Sequence, residues 1–238
     1  TTLMDQILDG HPRVQVVEEL PTAAKMARAL AADGDYPASL AALDQPRIEE
    51  LRRIYHDTVA QRAARQPGTL LVDKMPLNIV NLPLLHRVFP SARYILALRH
   101  PMDACLSCLM QNFRINDAMA NFFTLEDTAN AYARVMGLWL HYQEPLPVPH
   151  HAIKYENLVR DFRGEVGALL DFLGLPWDPA VEAYASRAAA RGRINTPSYQ
   201  QVTEAIYTRA SGRWRRYEAH LAPLAETLAP FVAAFGYD

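Results

Sequence analysis

One pattern recurs along this chain of 238 residues and constrains its fold more than any other: a short apolar run ends on a charged residue, then a turn and a helical periodicity follow. TLLVD at 69–73 leads through KMP to a helix expected at about 77–87, and ARYILALR at 92–99 leads through His100-Pro101 to another. HAIKYENL at 151–158 precedes a helical stretch that ends near LGLP. Strands separated by helices cannot pair as hairpins, so the predicted class is α/β, a parallel sheet with helices on both faces. Covering helices are expected at about 46–65 and 124–143, and the opening TTLMDQILDGHP carries Leu3, Met4, Ile7 and Leu8 at helical spacing before Gly10 and Pro12. Pro145, Pro147 and Pro149 make a stiff connector into the third strand.

Half of the residues are apolar, enough to bury one large core, and no shift in composition forces a domain boundary; one domain over 1–238 is expected. The 24 Lys and Arg against 26 Asp and Glu leave a net charge of -2, so any anion site must be local. Nucleic acid is not an expected partner. There is no apolar run near the roughly 20 residues of a membrane span and no basic leader, so the expected location is the cytoplasm.

Ligands of open parallel sheets bind beyond the carboxyl ends of the strands, which directs attention to three residues. Lys74 follows TLLVD and is expected on a short turn constrained by Pro76; Arg99 ends YILALR; Tyr155 ends HAIKY. Taken singly, each reads better as a solvated strand end. Together, a lysine and an arginine beside helix N-termini would form a pocket for a multiply charged anion, the arginine as a planar fork and the lysine as a mobile point charge. Cys105 and Cys108 have CxxC spacing, but both fall inside the helix that Pro101 opens, so they are expected to pack rather than react. His100 is expected to cap that helix, and His150-His151 to begin a strand. Arginines 187, 191, 193, 209, 213, 215 and 216 surround INTPSYQQV, an irregular stretch suited to closing over a phosphate.

These residues also carry a resemblance. TTLMDQILDGHPRVQVVEE is similar to the end of the 5′-phosphosulfate loop and the following helix of sulfotransferases, a loop that usually reads PRSGTT. VDKMPLNIVNLPLLHRVFPSARYILALRHPMDACLS resembles their central block, and KYENLV, the GRW of SGRWRRY and FGYD resemble later landmarks. The order spans essentially the whole chain. It most resembles bacterial sulfotransferase domains found with tetratricopeptide repeats, and protein-tyrosine sulfotransferases. The resemblance implies a P-loop-kinase-like fold whose first strand and phosphate-loop start are expected upstream of residue 1, with tetratricopeptide repeats in the parent chain as a candidate upstream partner. It implies a metal-independent enzyme using 3′-phosphoadenosine-5′-phosphosulfate, which leaves as adenosine 3′,5′-bisphosphate.

Carried over by position, the resemblance assigns Thr1 and Thr2 to the 5′-phosphosulfate and Arg99 with Ser107 to the 3′-phosphate. It makes Lys74 the stabiliser of charge on the transferring group, and Glu19 the base, with Glu18 its competitor for that role. Tyr155, Ser198 and Arg213 become adenosine and phosphate contacts. The acceptor is a hydroxyl of a peptide tyrosine, sugar, lipid or small molecule. Two other readings stay open: a non-catalytic nucleotide-binding or scaffold domain of the same fold, and a helix-start carboxylate at Glu19 favoured only by the dipole. A kinase is disfavoured because GxxxxGK[ST] is absent.

Overall fold

The computed structural model describes residues 1–32, 34, 36–111, 113, 116–190 and 210–237, without the side chains of 188–190. Among the described residues there are four strands, β1 (Val14–Glu18), β2 (Leu70–Lys74), β3 (Tyr94–Leu98) and β4 (His150–Lys154). β1 pairs β2 and β3 pairs β4, both in parallel, with Val14 opposite Leu70 and Tyr94 opposite His150. The expected parallel sheet is thus two ladders that share no hydrogen-bonded neighbour among the described residues. Helix packing joins them.

The larger helices are α1 (Thr2–Asp9), α2 (Thr22–Ala32), α3 (Gln45–Ala60), α4 (Leu82–Val88), α5 (Pro101–Leu109), α6 (Leu125–Tyr142), α7 (Tyr155–Arg160), α8 (Phe162–Leu173) and α9 (Tyr184–Ala190). Beyond residue 210 come α10 (Glu218–Leu221) and α11 (Ala225–Ala234). Side chains alternate across each strand, so each ladder buries two faces. On one face Val14, Val16, Val72, Ile95 and Ile153, drawn from all four strands, pack with Met4, Ile7 and Leu8 of α1 and Val166, Leu169 and Leu170 of α8. On the other, Val17 and Leu71 meet α2, α3 and α4, whereas Leu96 and Leu98 meet Met136 and Trp139 of α6 and Phe231 of α11. The α1–α8 layer spans both ladders and holds their carboxyl ends in one region.

Caps fix where the covering helices begin. Asp44 accepts from the Arg47 amide before α3, Thr124 from the Asp127 amide before α6, and Asp161 from the Gly164 amide before α8. Three expectations shift. VQVVE forms β1, which its neighbouring acids and short length hid; the helix expected at 77–87 opens as a 3-10 turn at Asn78–Asn81 because Pro83 sits at the start of α4; and Tyr155 begins α7 rather than ending β4. Gly10 does end α1, but with ordinary right-handed geometry. Its lack of a side chain serves contact instead, since a Cβ there would stand 2.8 Å from the Ala180 carbonyl oxygen.

Candidate active site

At the carboxyl end of the first ladder, three carboxylates surround one ammonium. Lys74, the last residue of β2 rather than a turn residue, is buried, and its Nζ lies 2.7 Å from Glu19, 3.3 Å from Asp5 and 3.9 Å from Glu18. Pairing of β1 with β2 puts Glu18 opposite Lys74 and directs the next residue over it. Glu19 does not open a helix, since α2 starts at Thr22. It sits in the left-handed region at φ 53, with its amide donating to the Lys74 carbonyl at 2.8 Å. A non-glycine residue in that conformation is uncommon and is retained here by a backbone bond and an ion pair. Glu18 instead accepts from Gln6 at 3.1 Å, as does Asp5 at 2.9 Å. Burial pushes the Asp5 carboxyl up to about 6, with Lys74 opposing and Glu18 adding to the rise.

Thr1 caps α1 without a side-chain hydrogen bond, and Thr2 is buried. Thr1 lies within electrostatic reach of Asp5, Lys74 and Arg99, so the start of α1 lies between the ends of the two ladders.

The second ladder ends on an arginine held differently. Arg99 follows β3, donates 2.6 Å to the Ala210 carbonyl, and lies 5.2 Å over the ring of Tyr155. Its buried Nε has no hydrogen-bond partner among the described residues, an orphan donor that suits an anionic oxygen. Beside it, the buried Asp103 carboxylate is 4.0 Å from the guanidinium and accepts from the amides of Gly212 and Trp214 at 2.7 and 2.8 Å. Glu156 accepts from the His100 amide and the Tyr237 hydroxyl, while His100 caps α5 and stacks on Trp214 at 4.9 Å.

The structure therefore gathers Thr1, Thr2, Glu19 and Lys74 around one end, and Arg99 with Tyr155 beside it. Ser107 lies on α5, about 9 Å along the axis from Pro101 at 1.5 Å per residue, with partial exposure. Arg213 is exposed at the start of the 3-10 turn Arg213–Tyr217, and Ser198 lies outside the described residues. Sequence reasoning missed Asp5, Asp103 and Glu156. Asp103 had a legible signal, four residues after Arg99 in a helix start, whereas Asp5 required the tertiary approach of β2. Cys105 is fully buried against α6 and α11, and burial pushes its thiol up to about 12.

A sequence model described as the sulfotransferase family matches residues 1–179. The chain belongs to that family. It is 29% identical to an uncharacterized protein of Aquifex aeolicus (strain VF5), covering 96% of this chain and 30% of that protein. It is 24% identical to protein-tyrosine sulfotransferase 2 of Gallus gallus, covering 100% of this chain and 66% of that one. The chain thus spans less than two thirds of the length of these two relatives. Among solved structures, the sulfotransferase domain from the curacin biosynthetic pathway superposes with a TM-score of 0.66 at 20% identity, over 100% of this chain and 93% of that one. The sulfotransferase domain from the Synechococcus PCC 7002 olefin synthase gives 0.62 at 22% identity, over 100% and 90%. Both likenesses establish the sulfotransferase fold. No helix of the described residues is long and apolar enough to cross a membrane.

Proposed function

We propose that this sulfotransferase domain moves a sulfuryl group from 3′-phosphoadenosine-5′-phosphosulfate to an acceptor hydroxyl by in-line displacement. The observation that carries this reading is the 2.7 Å contact between Lys74 and Glu19 beside the start of α1, a base and a cation that meet at one strand end. Sulfuryl transfer, like phosphoryl transfer, needs alignment, stabilised equatorial oxygens and a neutralised leaving group more than covalent participation by the protein. Lys74 and the N-terminal end of α1, at Thr1 and Thr2, supply positive charge at the transferring group. Glu19, partly exposed and set facing the site by its left-handed backbone, takes the acceptor proton as oxygen bonds to sulfur. Glu18 is the weaker candidate for that role, because its carboxylate is engaged by Gln6.

Arg99 offers its orphan Nε to the 3′-phosphate, with Ser107 further along α5. Tyr155, with Arg99 over its ring, borders the nucleotide. Arg213 and Ser198 are further adenosine and phosphate contacts by the family pattern.

Calorimetric titration of the full-length protein with adenosine 3′,5′-bisphosphate tests the donor site. Binding should be present in the wild type and weakened in Arg99→Ala and Ser107→Ala. Equal binding by all three would remove the 3′-phosphate assignment, and binding without turnover in the wild type would favour a nucleotide-binding scaffold. Glu19→Gln should keep nucleotide binding and lower turnover about 10²-fold or more.

A further inference from the structure

The last two residues of β2 point to opposite faces of their ladder, and both hold the connection that runs from β1 to α2. Lys74 faces Asp5 of α1; its carbonyl accepts from the Glu19 amide, and its ammonium meets the Glu19 carboxylate. Asp73 faces the other layer, where its Oδ2 accepts from the Thr22 hydroxyl at 2.8 Å. Thr22 opens α2 and is fully buried. Only Glu19, Leu20 and Pro21 lie between the end of β1 and this second grip.

Glu19 is the strained member of this connection, and a non-glycine residue keeps a left-handed backbone only where its surroundings over-determine it. Its own amide bond and ion pair fix the entry to the turn. The exit is fixed by Leu20, which packs with Val17 and Met26, and by the Thr22–Asp73 hydrogen bond. Apolar packing resists separation but sets no angle, whereas the hydrogen bond is directional and ties the start of α2 to the strand that carries Lys74. Burial raises the Asp73 carboxyl, and the hydroxyls of Thr22 and of Tyr55 on α3 oppose that rise. The bond thus forms in a partly desolvated place, which strengthens it.

We propose that Asp73 and Thr22 are positioning residues for Glu19: their hydrogen bond holds the connection closed, so that the Glu19 carboxylate stays over Lys74. The proposal rests on the sulfuryl-transfer reading above, in which Glu19 is the base. Neither residue touches a reacting atom. Without the bond, α2 can shift against β2, Glu19 relaxes out of the left-handed region, and its carboxylate moves off the line between acceptor hydroxyl and sulfur. Arg99, on the other ladder, shares no contact with Asp73 or Thr22. The loss therefore falls on turnover and spares nucleotide binding.

The test uses the full-length protein with 3′-phosphoadenosine-5′-phosphosulfate and whichever of 2-naphthol, glucose and an acidic tyrosine peptide the wild type turns over fastest. Thr22→Val keeps the shape of the side chain and removes the donor; it should lower kcat about tenfold or more, with affinity for adenosine 3′,5′-bisphosphate unchanged. Thr22→Ser, which restores the hydroxyl, should recover most of the loss. In a Glu19→Gln background Thr22→Val should cost nothing further, because its effect acts through Glu19. An equal loss in both backgrounds, or a kcat that Thr22→Val leaves unchanged, overturns the proposal. If Thr22→Val fails to fold, Asp73→Asn weakens the acceptor at constant shape and is held to the same pattern. Crystal structures of wild type and variant give a readout that needs no turnover: Glu19 should leave positive φ and lose its contact with Lys74, and an unchanged Glu19 overturns the proposal. A wild type that neither binds the nucleotide nor transfers the group overturns the sulfuryl-transfer reading instead, and the crystal structures then decide the clamp.

Discussion

The two ladders end on cations kept in opposite ways. Lys74 is surrounded by Asp5, Glu18 and Glu19, more negative charge than it can neutralise, and three rotatable donors let it exchange partners. Arg99 meets a ring, a backbone carbonyl and the edge of one carboxylate, with a donor left over. The first arrangement suits a charge that must shift as bonds change; the second suits a fixed clamp. On the proposed reading, chemistry and anchoring fall to different halves of the molecule.

Substitution at the mobile cation should have the largest effect. Lys74→Ala should lower kcat about 10²–10³-fold while changing nucleotide affinity far less, measured by steady-state kinetics and calorimetry. Equal losses in both quantities would dissolve the division of labour. Next, Arg99→Lys keeps the charge but loses the planar fork, and should weaken adenosine 3′,5′-bisphosphate binding about tenfold with kcat at saturation little changed. If this variant binds like the wild type, charge alone suffices at this end.

Asp103→Ala leaves the amides of Gly212 and Trp214 without their acceptor, at a cost of about 1–3 kcal/mol. The expected sign is a red shift and quenching of Trp214 fluorescence, with faster proteolysis near residue 210. Unchanged emission would mean that stacking on His100 holds the segment without the carboxylate.

The smallest effect concerns Asp5, whose neighbours are Lys74, Glu18 and Gln6. Its carboxyl titrates near 6 in the fold and near 4 when unfolded, so the folded state holds more protons between those values. The stability it contributes is therefore full below about pH 4 and is lost as pH rises through 6. Asp5→Asn should flatten that slope and shift the melting midpoint by about 2–4 °C relative to wild type at pH 7, with little difference at pH 4. A pH-independent difference would assign the effect to the Lys74 ion pair alone.

Much of this was legible in the sequence, for reasons that differ by element. The strands at 70–74, 94–98 and 150–154 were readable because each is a short apolar run closed by a charged or polar turn, and α6 because Thr124 and Asp127 announce its start. β1 was not, since Gln15 and the two glutamates mask a five-residue alternation that is satisfied only by pairing with β2. Lys74 and Arg99 could be found at strand ends by position alone. The carboxylates around Lys74 could not, because Asp5 lies on a helix that meets β2 only once the long stretch of chain between them has folded. Local pattern fixes where a cation stands, and tertiary approach fixes what it is paired with.

Gly10 lets the end of α1 touch the backbone at Ala180, and Arg187 of α9 donates to the carbonyls of Asp9 and Gly10 at 2.8 and 2.7 Å. The helix is thereby gripped at the end remote from Thr1 and Thr2. At about 1.5 Å per residue it is a strut about 12 Å long, stiff along its axis. The grip of Arg187 on its carbonyls therefore fixes α1 along its axis, and with it where Thr1 and Thr2 stand at the opposite end.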